Sequence, residues 1–135
     1  MDLDRFVAAQ ADHYAIALAE LTRGTKRSHW MWFIFPQIAG LGHSATARHY
    51  AIRDLAEARA YLAHPLLGPR YLESTAALIP HRGRPAESIL GGIDAVKLRS
   101  SLTLFDRAGA PPVVAETLAA FFHGPDAATL RLLEG

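Results

Sequence analysis

The amino-acid sequence predicts an all-α fold, a compact domain of six to eight short helices. Three observations carry that prediction. Apolar residues recur at spacings of three and four along most of the chain, the periodicity of a helix face. Proline and glycine fall between those stretches, where they end one helix and open the next. No two segments with period-two alternation exist that would pair into a sheet. With 135 residues, a single domain spanning 1–135 is expected. Folding takes about 21,000 Å² of chain surface down to about 7,000 Å², enough for one core.

The first helix is expected from Leu3 to Arg23, where Leu3, Phe6, Val7, Gln10, Tyr14, Ala17 and Leu21 form one stripe. Asp2 and Asp4 suit the positive end of its dipole, and Gly24 is a natural stop. Between Thr25 and Gln37 a short helix capped by Ser28 is expected to end near Phe35, because Pro36 disfavours helical geometry before it. A strand is the rival there, since aromatic and β-branched residues cluster. It has no second strand to pair with, so the helix is preferred.

Gly40 and Gly42 mark a turn, and a helix follows Ser44, continuing or restarting through Leu55, Ala58 and Leu62 with Asp54 as a possible new cap. His64-Pro65 breaks it, and Pro65 suits the first turn of a helix running to Ile79. Pro80 to Pro85 is a basic loop. Ala86–Leu90 gives one helical turn before Gly91-Gly92. Asp94 is placed to cap a helix from Ala95 to Asp106 that presents Leu98, Leu102 and Phe105 on one face. Pro111-Pro112 opens a helix through Phe122, and Pro125-Asp126 opens a last one ending at Leu133.

Composition excludes several functions. Fourteen Lys and Arg against thirteen Asp and Glu leave a charge of +1, so nucleic acid is not a partner by bulk charge. Without cysteine there is no disulfide, thiolate zinc site or cysteine nucleophile. The seven histidines are not spaced to share a helix face, so no metal is expected. No cofactor signature is present. The start, Met-Asp-Leu-Asp-Arg-Phe, lacks the basic-then-apolar order of a secretory signal, and Trp30–Pro36 is too short to span a bilayer. A cytoplasmic protein with no membrane partner is the expectation.

Two clusters point to chemistry. In the first, Lys26, Arg27, Ser28, His29, Trp30, Trp32 and Gln37 place both tryptophans beside two cations and an imidazole. Aromatic faces next to cations suit a planar ligand bearing a phosphate or carboxylate, and Ser28 at a helix start would add free N–H groups for an anion. The plainer reading is that the aromatics are core and the cations a solvated turn. The second cluster is Asp94, Lys97, Arg99, Ser100, Ser101 and Thr103; on a helix Lys97 stands one turn from Ser100 and Ser101, so a cation and hydroxyls can share one face. There the plainer reading is a capping aspartate, with serines kept small for helix contact. His29, Lys97 and Asp94 are the expected catalytic groups if there is a reaction. Arg70 lies near a helix start and is a further ligand candidate. Arg48, His49 and Tyr50 follow the glycine turn and are expected to line a pocket beside the aromatic segment.

These residues also carry a resemblance. Arg5–Gln10, Gly24–Gln37, Gly40–Ser44, Tyr50–Ile52, Ala60–Arg70, Lys97–Phe105 and Asp126–Leu133 resemble the bacterial proteins grouped as domain of unknown function 1810. The resemblance implies an all-α fold and no established activity. Before Lys97 that family has Pro-Asp-Asp where this chain has Ile93-Asp94-Ala95, so a role needing two carboxylates is not implied here. The label calpastatin-like, sometimes attached to the family, does not suit a composition that builds a packed domain.

Two functions are expected to compete. One is binding or processing of a small anionic ligand, phosphorylated or nucleotide-like, where the two clusters converge. The other is an interaction or self-association module, such as a homodimer, using the Trp30–Pro36 segment.

Overall fold

The computed structural model describes residues 2–134, which form ten α-helices. Seven are longer than one turn: α1 (Asp4–Ala11), α2 (Tyr14–Arg23), α5 (Leu55–Ala63), α6 (Leu67–Leu78), α8 (Gly92–Arg107), α9 (Pro112–Phe121) and α10 (Ala127–Glu134). Three are about one turn long: α3 (Met31–Ile34), α4 (Ala45–His49) and α7 (Ala86–Leu90). A 3₁₀ turn, Ile79–His81, follows α6. Among the described residues there is no strand, and extended pairing is limited to one parallel bridge between Ile38 and Ile52. The all-α expectation therefore holds. No helix among these residues is long and apolar enough to cross a membrane.

Helix α8 runs through the centre of the core and packs on α5, α7, α9 and α10. Phe105, fully buried, lies against Tyr71 (ring centroids 4.3 Å apart) and Tyr61 (5.2 Å). Helices α5 and α6 meet at Gly68, where a Cβ would fall 2.1 Å from the Leu62 carbonyl oxygen, so only glycine permits the contact. The folded surface is 6742 Å², close to the expected value.

Three expectations need correction, and one that was left open is decided. The helix expected over Leu3–Arg23 is two helices, broken at Asp12-His13. Buried Gln10 at the end of α1 donates to the Phe33 carbonyl at 2.8 Å, which holds α1 on α3, whereas α2 packs on α6. One straight helix cannot serve both directions. Ser28 does not cap a helix: its N–H and hydroxyl are turned to Glu20, and α3 begins only at Met31. Asp94 is not a cap either. Gly91, at φ +87°, lets α8 start at Gly92, leaving Asp94 inside the first turn with its carboxylate pointing outward to lysines. Between α4 and α5 the chain restarts rather than continues, with the Asp54 carboxylate accepting the Glu57 N–H at 2.9 Å.

Candidate functional site

The segment before α3 does form an anion site, and a carboxylate of the chain itself fills it. Glu20, buried near the end of α2, accepts from the Arg27 N–H (2.7 Å), the Ser28 N–H (2.9 Å), the Ser28 hydroxyl (2.6 Å) and the Trp30 indole N–H (2.9 Å). Burial alone would raise its pKa. The bonds from Ser28, Arg27 and Trp30 outweigh it and hold the carboxyl at about 2. The N–H groups of Arg27 and Ser28 and the indole N–H of Trp30 are thereby occupied. Trp30 is fully buried and sits in the core, away from any ligand. The side chains of Arg27 and His29 are exposed.

With this turn pinned, Lys26 projects toward the start of α8. Its backbone N–H donates to the Ile89 carbonyl at 2.8 Å, fixing it to α7. The Lys26 ammonium meets Asp94 Oδ2 at 2.9 Å and the Ser28 carbonyl at 2.6 Å, and lies 5.0 Å from the Trp30 ring centroid. The other Asp94 oxygen faces the Lys97 ammonium at 3.6 Å, and that ammonium lies 4.8 Å from the Trp32 ring centroid. The two clusters expected from the sequence therefore meet on Asp94. Two ammoniums share one carboxylate, leaving one positive charge in excess beside an aromatic wall.

Three clefts surround this arrangement. The first, about 320 Å³, is lined by Lys26, His29, Trp32, Ile93 and Asp94. The second, about 390 Å³, includes Gln37, Ile93, Lys97, Ser100 and Asp126. The third, about 260 Å³, includes Trp32, Gln37, Arg48 and Tyr50. Trp32 belongs to the first and third, Ile93 to the first and second, and Gln37 to the second and third, so the clefts adjoin. His29 and Lys97 stand on the same side of the domain, joined through Asp94 and Trp32.

Other expected residues do different work. Ser101 is buried and bonded to the Tyr71 hydroxyl at 3.0 Å, a contact between α8 and α6. Ser100 reaches the edge of the second cleft, yet its hydroxyl pairs with Thr129 at 2.8 Å and so binds α8 to α10. These two small residues allow close helix contact with both hydroxyls paired. Arg70 stands apart from the lysines: its guanidinium lies 4.5 Å over the Tyr14 ring and bonds Gln10 Oε1 at 3.4 Å. Sequence reasoning missed Glu20, whose role follows from long-range donors that no local spacing reveals. It also gave no weight to Ile93 and Val96, one turn apart on α8 and 78% and 62% exposed.

Comparison with known proteins agrees with this fold. The sequence matches the family described as protein of unknown function (DUF1810) over residues 1–133. The crystal structure of a conserved hypothetical protein from Mycobacterium tuberculosis is similar, with 48% identity, 99% of this chain and 97% of that chain covered, and a TM-score of 0.96. Among curated proteins no match is found.

Proposed function

The chain belongs to the DUF1810 family of proteins of unknown function, and we propose that it binds a small anionic ligand, phosphorylated or nucleotide-like, in the clefts around Trp32. One observation supports this reading above the others: Asp94 holds two lysine ammoniums, each laid against an indole, with one charge in excess at the edge of a cavity. Partly buried charge is costly unless paired, and an arriving anion completes the pairing that Asp94 begins. Lys97, 22% exposed, is the ammonium open to that anion. Lys26, more enclosed, supports Asp94. His29, on the rim with Lys26 and Asp94, and Lys97 are the two proton-carrying groups available if the ligand is converted.

A thermal-shift panel of nucleotides and sugar phosphates tests this reading, because a ligand selective for the folded state raises stability. At least one phosphorylated compound raises the melting temperature of the wild type. A panel with no such compound contradicts the reading.

The interaction-module reading has a different surface from the one first expected. In Trp30–Pro36 every residue except Trp32 is buried in the chain's own core, so that segment offers little to a partner. Ile93 and Val96, the most exposed of the large apolar residues and one turn apart, are open to one. Sedimentation across a concentration series decides: a dimer lost on Ile93→Ser supports this second reading, and a monomer throughout refutes self-association.

A further inference from the structure

We propose that the cleft between Trp32 and Tyr50 seats a heteroaromatic base, with the Gln37 amide reading its edge, so that the ligand is a nucleotide. The proposal rests on the anion site at Lys97 and adds a ligand class to it. Of the aromatic residues from Trp30 to Phe35, Trp32 alone is not buried. The segment spends its other aromatics on the core and leaves this one at a cavity. Tyr50 lines the same cleft. Its ring is held by Phe33 (5.3 Å), Phe6 (6.0 Å) and His49 (4.6 Å), so it needs little ordering when a ring arrives beside it.

Gln37 contributes the polar edge. Its backbone carbonyl accepts from the Ile52 N–H at 2.8 Å, which fixes the residue at the bridge. Among the described residues its side-chain amide, half-buried at the cleft, makes no hydrogen bond. An amide supplies one donor side and one acceptor side, the pair of functions that a nucleobase edge presents in return. Gly42 also lines the cleft and lies so near α4 that a Cβ would fall 2.5 Å from Ala47 Cβ.

The base and phosphate of a nucleotide are joined through one ribose. Here the base cleft and the Lys97 cleft are contiguous, sharing Gln37 and Gly42. The Asp126 carboxylate also lines the Lys97 cleft, but it is turned to the Thr129 N–H and hydroxyl at 2.9 and 2.6 Å.

Calorimetric titration of the full chain with inorganic phosphate, ribose 5-phosphate and the four common ribonucleoside monophosphates tests the assignment. At least one nucleotide binds about tenfold or more tightly than ribose 5-phosphate, as base stacking on aromatic side chains provides. Gln37→Ala and Tyr50→Leu remove that advantage, and Tyr50→Leu, at a residue that does not line the Lys97 cleft, leaves ribose 5-phosphate binding unchanged. If no nucleotide exceeds ribose 5-phosphate, or if both variants keep the advantage, the base site is overturned. Ribose 5-phosphate binding that Lys97→Ala abolishes would then leave the anion site standing. If none of the probes binds, both the anion site and the base site fall.

Discussion

The Trp30 indole N–H donates to Glu20 Oε1 across 2.9 Å, and this bond joins the aromatic segment to the end of α2. Glu20 is a buried carboxylate kept ionised by donors. Its pKa falls from the ordinary 4.5 to about 2, worth about 3 kcal/mol. Because the folded value is the lower one, this stability is fully present above about pH 4.5. It is lost as pH falls toward 2. Glu20→Gln therefore destabilises the domain at pH 7 by about 2–4 kcal/mol, and the gap to wild type closes between pH 4.5 and 2 in denaturant titrations. A gap independent of pH would show that the charge is not what the donors hold.

Gly68→Ala forces a Cβ to within 2.1 Å of the Leu62 carbonyl oxygen. Backbone has to move, so α5 and α6 separate at a cost of about 3 kcal/mol. Urea unfolding measures it. A cost under about 0.5 kcal/mol, the range of neutral substitutions, would mean that the helices do not approach so closely.

Phe105→Ala removes a fully buried ring from between Tyr61 and Tyr71. The expected loss is about 3–5 kcal/mol by denaturant unfolding. A loss below about 1 kcal/mol would mean that the surrounding rings collapse into the space.

Helix content was legible because Leu98, Leu102 and Phe105 repeat with the period of a helix, and Pro112 opens one in its first turn, whereas Pro65 falls just before α6 rather than in its first turn. The meeting of the Lys26 and Lys97 segments was expected because each combines a cation with hydroxyls, although the helix caps assumed with it, Ser28 and Asp94, are not caps. The division at Asp12-His13 was not legible. The stripe runs on unbroken, and what breaks it is the bond from Gln10 to Phe33, twenty-three residues away. Ser28 misled for a related reason: a local cap and a distant carboxylate ask for the same hydroxyl, and only the tertiary fold places Glu20 against it. That Tyr50 shares a cleft with Trp32 was half legible, because Arg48, His49 and Tyr50 follow the glycine turn and were expected to line a pocket there.

Lys97→Ala and His29→Ala separate stability from binding. Asp94 keeps Lys26 as a partner when Lys97 is removed, and His29 is exposed. Both variants therefore melt within about 2 °C of wild type, while the shift produced by a phosphorylated ligand disappears. A full ligand-induced shift in both variants would show that these residues do not bind it.

The two tryptophans report the central claim directly, because one is sealed in the core against Glu20 and the other lines the clefts. The indole N–H resonances of Trp30 and Trp32, assigned with Trp32→Phe, are followed by NMR during titration with inorganic phosphate. The account predicts that the Trp32 signal moves saturably, that Lys97→Ala abolishes the movement, and that the Trp30 signal stays in place. A Trp32 signal that remains fixed throughout the titration would contradict anion binding at this site.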